Sequence, residues 1–195
     1  RKRVIIRFGE ISVVYEPTSD ENYRSLVAEV IHACITPGEI AVDVGAHTGL
    51  WTLPLAKRIL SAGHVYAFEP EPATFSALNR NVKLNHLTNV TTFPFALTDR
   101  ESDRLFYIRQ NTELHSFFDV TVEPYNQALE KSIVVKTHRL DALVSQGLIR
   151  PPTFVKIDVE GAELEVLKGL QGICIDDTTI VVEKHSAPLL SQGIN

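Results

Sequence analysis

Acids close four of the chain's apolar runs: Asp43 in Ala-Val-Asp-Val-Gly, Glu69 in Ala-Phe-Glu-Pro, Asp158 in Lys-Ile-Asp-Val-Glu-Gly and Glu183 in Val-Val-Glu-Lys-His. A carboxylate at the end of a buried run must face a partner, because an unpaired buried charge is costly. Its lone pairs suit hydroxyl or amine donors. His185 follows Glu183 by two positions, so both fall on one side of a strand. Imidazole titrates near neutrality and suits a general base. Asp158, Glu160 and His185 are therefore the candidate catalytic groups, although Glu160 also reads as a helix cap. His115 is a weaker candidate base that also reads as a surface residue. Asp158, Glu183 and His185 form a mixed carboxylate and imidazole set that several divalent ions accept. No compact ligand motif accompanies it, so a divalent metal is not favoured and none is assigned.

The elements that must position these groups follow from hydrophobic pattern. Ala41–Thr52 reads as a buried strand, a tight turn and a helix start. Gly45 and Gly49 give the turn its conformational freedom and leave room for a ligand. The helix start offers unpaired N–H groups. A dinucleotide site wants Gly-x-Gly-x-x-Gly, and here Ala46, His47 and Thr48 separate the two glycines. A phosphate loop ending in Gly-Lys-Ser/Thr is also absent. A nucleoside without phosphate fits the turn better, and an NAD-dependent oxidoreductase does not. His47 contributes backbone. Asp43 either fixes the turn or reaches the ligand. Glu69, 26 positions after Asp43, ends the next strand. There it can accept two hydrogen bonds from a ribose diol, or it caps a helix before Pro70.

From Ile40 onward strands and helices alternate, the signal of a parallel sheet. Strands are expected at Ile40–Val44, His64–Phe68, Thr91–Phe95, Thr153–Ile157 and Thr179–Glu183, with helices near 49–60, 72–84, 139–146 and 162–170. The acids listed above then gather at the carboxyl ends of the strands, where open parallel sheets bind ligands. Upstream, Arg3–Phe8 and Ile11–Tyr15 flank a Gly-Glu turn and read as a hairpin. A helix follows, capped by Ser19 or Asp20 and running to about Cys34, with Tyr23, Leu26, Val27, Val30, Ile31 and Cys34 on its apolar face. Residues 1–38 are a prelude to a domain over 39–195. Asp99–Lys131 interrupts the alternation. Arg104–Ile108 and Ile133–Thr137 are expected to pair, and Gln110–Tyr125 is a candidate lid.

Four stretches, taken in order, resemble the FkbM family of class I S-adenosylmethionine (SAM)-dependent methyltransferases. They are Val42–Gly49, Ala67–Pro70, Asn79–Asn85 and the Lys-Ile-Asp-Val-Glu-Gly-Ala-Glu string at Lys156–Glu163. The resemblance spans roughly Glu39 to His185. It implies an α/β, Rossmann-like, doubly wound, mostly parallel sheet. It implies SAM as cofactor, S-adenosylhomocysteine as product, and methyl transfer to a hydroxyl of a sugar or other small acceptor. Asp43, Gly45, Ala46, His47, Thr48, Gly49, Glu69, Pro70, Ala96 and Leu97 become the implied cofactor-binding set, with Phe95 beside the last two bordering the adenine. A SAM- or nucleoside-binding module without catalysis is the alternative. Two further strands usually follow the fifth in such folds, and only 12 residues follow Glu183. The expectation is a chain that continues beyond Asn195, or a partner copy covering the edge at Ile180–Val182.

Composition narrows the rest. With 24 acids against 19 Lys and Arg, the net charge is −5, without the basic excess of nucleic-acid binders. No apolar run is long enough for a membrane span. Cys34 and Cys174 lack metal-type spacing and read as reduced core thiols of a cytoplasmic protein.

Overall fold

A computed structural model describes residues 4–8, 11–15, 21–119, 129–173, 178–185, 188 and 193. The first hairpin pairs β1 (Val4–Phe8) with β2 (Ile11–Tyr15), antiparallel, and α1 (Glu21–Cys34) follows. Then come β3 (Ile40–Val44), α2 (Thr52–Ile59), β4 (His64–Phe68), α3 (Pro72–Leu84), β5 (Val90–Phe93) and β6 (Ala96–Leu97). The chain goes on through β7 (Ser102–Arg109), β8 (Leu129–His138), α4 (Leu140–Ser145), β9 (Phe154–Ile157), α5 (Glu163–Lys168) and β10 (Thr179–Val182).

Five strands form one all-parallel sheet in the order β10-β9-β3-β4-β5. This is the expected doubly wound arrangement. The chain moves outward from β3 to β5, then crosses back to β9, so the strand order reverses between β3 and β9. Ligands bind at such a reversal, beyond the carboxyl ends.

Alternation along the strands divides the core. Ala41, Val65, Ala67 and Phe154 pack with Val27, Ile31, Leu53, Ile59 and Leu78 from the helices α1 to α3. Val42, Val44, Tyr66, Phe68, Val155 and Ile157 pack on the other face against Leu140, Leu143, Val166 and Leu170. Such continuous apolar strands are the mark of a parallel sheet covered on both sides.

Several boundaries differ from the sequence reading, each for a local reason. The third strand ends at Phe93 because Pro94 has no N–H to give the ladder. Ala96–Leu97 instead joins a second sheet of order β6-β8-β7. The pairing expected between 104–108 and 133–137 is present and longer, running from Ser102↔Thr137 to Arg109↔Leu129. In α1, Leu26 is 52% exposed and faces away from the core, whereas Val27, Ile31 and Ile35 are buried. Free Cys34 is half-buried. The proposed caps Ser19 and Asp20, along with Cys174, lie outside the described residues. Among the described residues β10 has no partner on its outer edge, and no helix is long and apolar enough to cross a membrane.

Candidate active site

One face of the sheet carries the four acids that close the apolar runs. Moving two residues at a time along β3 leads from Ala41 to Asp43, and along β4 from Ala67 to Glu69. In β9 the same step leads from Phe154 to Lys156 and Asp158, and in β10 from Val181 to Glu183 and His185. The apolar members pack against α1 to α3, and the charged ones follow them toward the carboxyl ends of the strands. A cleft opens at this end, walled by Gly45, Ala46 and His47 on one side and by Glu69, Pro70, Ala96 and Leu97 on another. Asp158, Glu160 and Glu183 form its acidic rim.

The turn after β3 is bound to β4, since the N–H groups of Gly45 and Ala46 both donate to the Phe68 carbonyl, at 3.1 and 2.9 Å. Gly45 has φ +74°, and a Cβ there would lie 1.8 Å from the Asp158 carbonyl oxygen. The space where a Cβ would go is therefore filled by the β9 connection, while the turn itself lines the cleft. His47 has φ +49°, and its N–H donates to Glu69 Oε2 at 2.9 Å. Its ring meets the Thr112 hydroxyl at 3.0 Å. Burial foremost, with His115 and Lys156 nearby, pushes the His47 imidazole down to about 4, so it is neutral at pH 7.

Asp43, Thr48 and Gly49 stand behind the wall of the cleft instead of on it. Asp43 is fully buried. It accepts the Thr52 hydroxyl at 2.6 Å and faces the Lys156 ammonium at 3.3 Å. These partners tie β3 to the start of α2 and to β9. The Thr48 carbonyl accepts from Asn81 Nδ2 at 2.8 Å, which ties the turn to α3. Gly49 (φ +100°) packs against Leu53 and Leu78.

Glu69 is buried on the cleft wall. Oε1 accepts the Glu71 N–H and Oε2 the His47 N–H, both at 2.9 Å. A carboxylate has about four lone-pair positions, so these bonds leave acceptor capacity for a ligand. The helix-capping alternative falls to Glu71, whose Oε2 accepts the Thr74 N–H at the start of α3. Burial raises the Glu69 carboxyl to about 7, against the lowering effect of the two N–H donors.

His185 is not the free base that its position suggested. Its Nδ1 lies 2.6 Å from Glu163 Oε1, and its Nε2 lies 3.1 Å from Glu160 Oε1, 3.6 Å from Asp158 and 3.9 Å from Glu183. Burial alone would lower its pKa. Hydrogen bonds to Glu160 and Glu163 override this and raise it to about 10. At neutral pH the ring is a cation at the centre of four carboxylates, with no lone pair to take a proton. Ligand atoms of Asp158, Glu183 and His185 lie within 4.8 Å of one another, and each ring nitrogen already faces a carboxylate. Glu163, expected as a solvated helix-start acid, is buried and accepts from both His185 and the Gly161 N–H.

The described part of the expected lid, residues 110–119, packs down as a roof. Thr112, His115 and Phe117 face the cleft, and Phe117 packs on Phe106 of β7. The Ser116 hydroxyl donates to the Glu160 carbonyl at 2.6 Å. His115 meets the Arg109 carbonyl through Nε2, and burial lowers its pKa. Val120–Tyr125 lies outside the described residues. Of the adenine-bordering trio, Ala96 and Leu97 line the cleft, while Phe95 joins an aromatic cluster with Phe68, Phe93 and His138. Sequence reasoning missed Trp51, Phe106 and Lys156 as wall residues. Only Lys156 carried a readable signal, as a charge inside the apolar run Phe154–Ile157.

Comparison with known proteins places this geometry. Residues 43–192 match the family described as the Methyltransferase FkbM domain. The hexuronic acid methyltransferase AglP of Haloferax volcanii is 30% identical over 156 residues, covering 76% of this chain and 56% of that protein. The methyltransferase sdnD of Sordaria araneosa is 31% identical over 155 residues, covering 66% of this chain and 59% of that one. The chain thus spans little more than half the length of these relatives. Among solved structures, the precorrin 8w decarboxylase from the Methanobacterium thermoautotrophicum genome superposes with a TM-score of 0.50 at 19% identity. It covers 86% of this chain and 64% of that one, a likeness of fold alone. The fold is the Rossmann-like one of class I methyltransferases.

Proposed function

Because this chain belongs to the FkbM family of methyltransferases, we propose that its cleft binds SAM and delivers the methyl group to a hydroxyl of a sugar or other small acceptor. One observation carries the reading. Glu69 beyond β4 and Asp158 and Glu160 beyond β9 share one cleft, with Glu69 keeping lone pairs unused by its two backbone donors. Glu69 would accept from the ribose diol, Ala96 and Leu97 would border the adenine, and the acidic rim of Asp158, Glu160 and Glu183 would suit the positive sulfonium.

The residues hold Asp43, Gly45, Ala46, His47, Thr48, Gly49, Glu69 and Pro70 in two tiers. Those on the wall touch the cofactor, and Asp43, Thr48 and Gly49 fix the turn from behind. SAM bound there would supply a methyl group on sulfur for in-line attack by the acceptor oxygen, a C–O bond forming as the C–S bond breaks and S-adenosylhomocysteine leaves. Asp158 or Glu160 on the rim would accept the hydroxyl proton. Alignment of the three atoms accounts for most of the acceleration. The name of AglP supports a sugar-type acceptor by likeness only.

The test pairs calorimetry of S-adenosylhomocysteine binding with labelled-SAM transfer to a panel of neutral sugars, uronic acids and glycosides. Binding that Glu69→Ala weakens, together with label in one acceptor class, is expected. Absence of binding to the full-length protein would defeat the assignment. Binding without transfer to any acceptor would favour a non-catalytic SAM-binding module.

A further inference from the structure

Lys156 is a charge inside a buried strand, in register with Asp43 on β3. Its side chain is 4% exposed. The ammonium donates to the Gly45 carbonyl at 3.0 Å and lies at ion-pair distance from Asp158 Oδ2, 3.2 Å, and Asp43 Oδ1, 3.3 Å. An ammonium tolerates burial only when paired. Each of the three partners has its own place in the site. Gly45 belongs to the turn that walls the cleft, Asp43 fixes that turn through Thr52, and Asp158 stands on the acidic rim.

We propose that Lys156 is a positioning residue for the transfer, aiming Asp158 at the cleft while locking that carboxylate to the Gly45 turn. The proposal rests on reading the cleft as a methyl-transfer site. Without the cation, Asp158 faces a surplus of negative charge. Glu160 on its own loop and Glu183 beyond β10 crowd it, and Asp43 on β3 lies behind Lys156. Among the described residues, His185 at 3.6 Å is the other cation in ion-pair reach, since the neighbouring His47 ring is neutral. Lys156 thus does for Asp158 what no other described side chain on β3 or β9 does. It supplies a positive charge from inside the sheet, where solvent does not screen it.

The test uses the double variant Asp43→Asn/Lys156→Met, which removes the cation together with the buried charge it neutralises, so no lone carboxylate is stranded. Calorimetry reads S-adenosylhomocysteine binding, and amide hydrogen exchange at Gly45 and Ala46 reads the order of the turn. In this variant the ligand binds about tenfold more weakly and the two amides exchange about tenfold faster, whereas Lys156→Arg, which keeps the charge, restores most of both. Lys156→Gln carries the same measurements where the double variant does not fold. Binding and exchange that stay in place in every folded variant overturn the proposal. Faster exchange in a protein that never binds S-adenosylhomocysteine supports the lock and defeats the methyl-transfer reading instead.

Discussion

Glu69 offers the sharpest quantitative test of the cofactor reading. Its carboxyl is raised by burial to about 7, from the ordinary 4.5. A ribose diol donates to an ionised carboxylate, and a protonated carboxyl gives up acceptor positions. Binding therefore selects the ionised form. With a midpoint near 7, roughly 90% of the unliganded protein is ionised at pH 8 and roughly 10% at pH 6. The affinity for S-adenosylhomocysteine should fall about tenfold over that interval, some 1.4 kcal/mol. At pH 6 binding should expel close to one proton, which appears as a dependence of the calorimetric enthalpy on buffer ionisation. Neither His185, raised to about 10, nor His47, lowered to about 4, changes charge across this range. Glu69→Gln removes the titrating group. The ligand's own titration and that of His115 cancel in the difference between wild type and variant. A flat affinity from pH 6 to 8 in the wild type, or the same slope in Glu69→Gln, would refute the placement of the sugar on Glu69.

The same shift acts on stability. The folded-state value lies above the unfolded one, so the stabilisation is complete below about 4.5 and is lost as pH rises through about 7. The 2.5-unit difference corresponds to about 3 kcal/mol. Urea unfolding of wild type and Glu69→Gln should therefore diverge by that order between pH 4.5 and 8, the wild type losing ground as pH rises.

Three further outcomes follow from the packing of the site. Gly45→Ala should abolish S-adenosylhomocysteine binding and most soluble expression, because its Cβ meets the Asp158 carbonyl at 1.8 Å. Gly147→Ala, with a similar φ of +72° but open space around it, should lower stability by only about 1–2 kcal/mol in urea unfolding. His185→Gln should destabilise the fold by about 3 kcal/mol at pH 7, since four carboxylates lose their shared cation. The loss should shrink above pH 10, because a raised histidine value gives stability that is full below 6.5 and disappears as pH passes through about 10. Thr52→Val should cost about 1–3 kcal/mol by thermal unfolding through the lost bond to buried Asp43, and it should weaken cofactor binding less than Glu69→Gln does.

The parallel sheet was legible because its signal is local and repeated. Ile40–Val44 and His64–Phe68 are apolar runs bounded by turns, and both strands form over those residues. The stop at Phe93 was legible too, since Pro94 breaks any ladder, yet the reading carried the strand through it to Phe95. Packing of Leu26 could not be read the same way. A helix pattern admits several neighbouring apolar stripes, and which one is buried depends on the surface it meets.

The site was legible in position and less so in chemistry, and His185 shows why. Residue type and period-2 spacing placed it correctly beside Glu183, at the end of the right strand. What it does there depends on whether its ring carries a proton, and that is a sum over carboxylates from the β9 connection, α5 and β10, 2 to 27 residues away in sequence. No single spacing encodes such a sum. Lys156 shows the converse. One charge among Phe154, Val155 and Ile157 is costly unless it is paired, so its mere presence implied partners across the sheet, and the parallel register supplies Asp43. An isolated buried charge is thus more informative in a sequence than an acid at a strand end. The acid may face solvent, ligand or cation, whereas the buried ammonium needs carboxylates around it and so points to the place where the sheet gathers them.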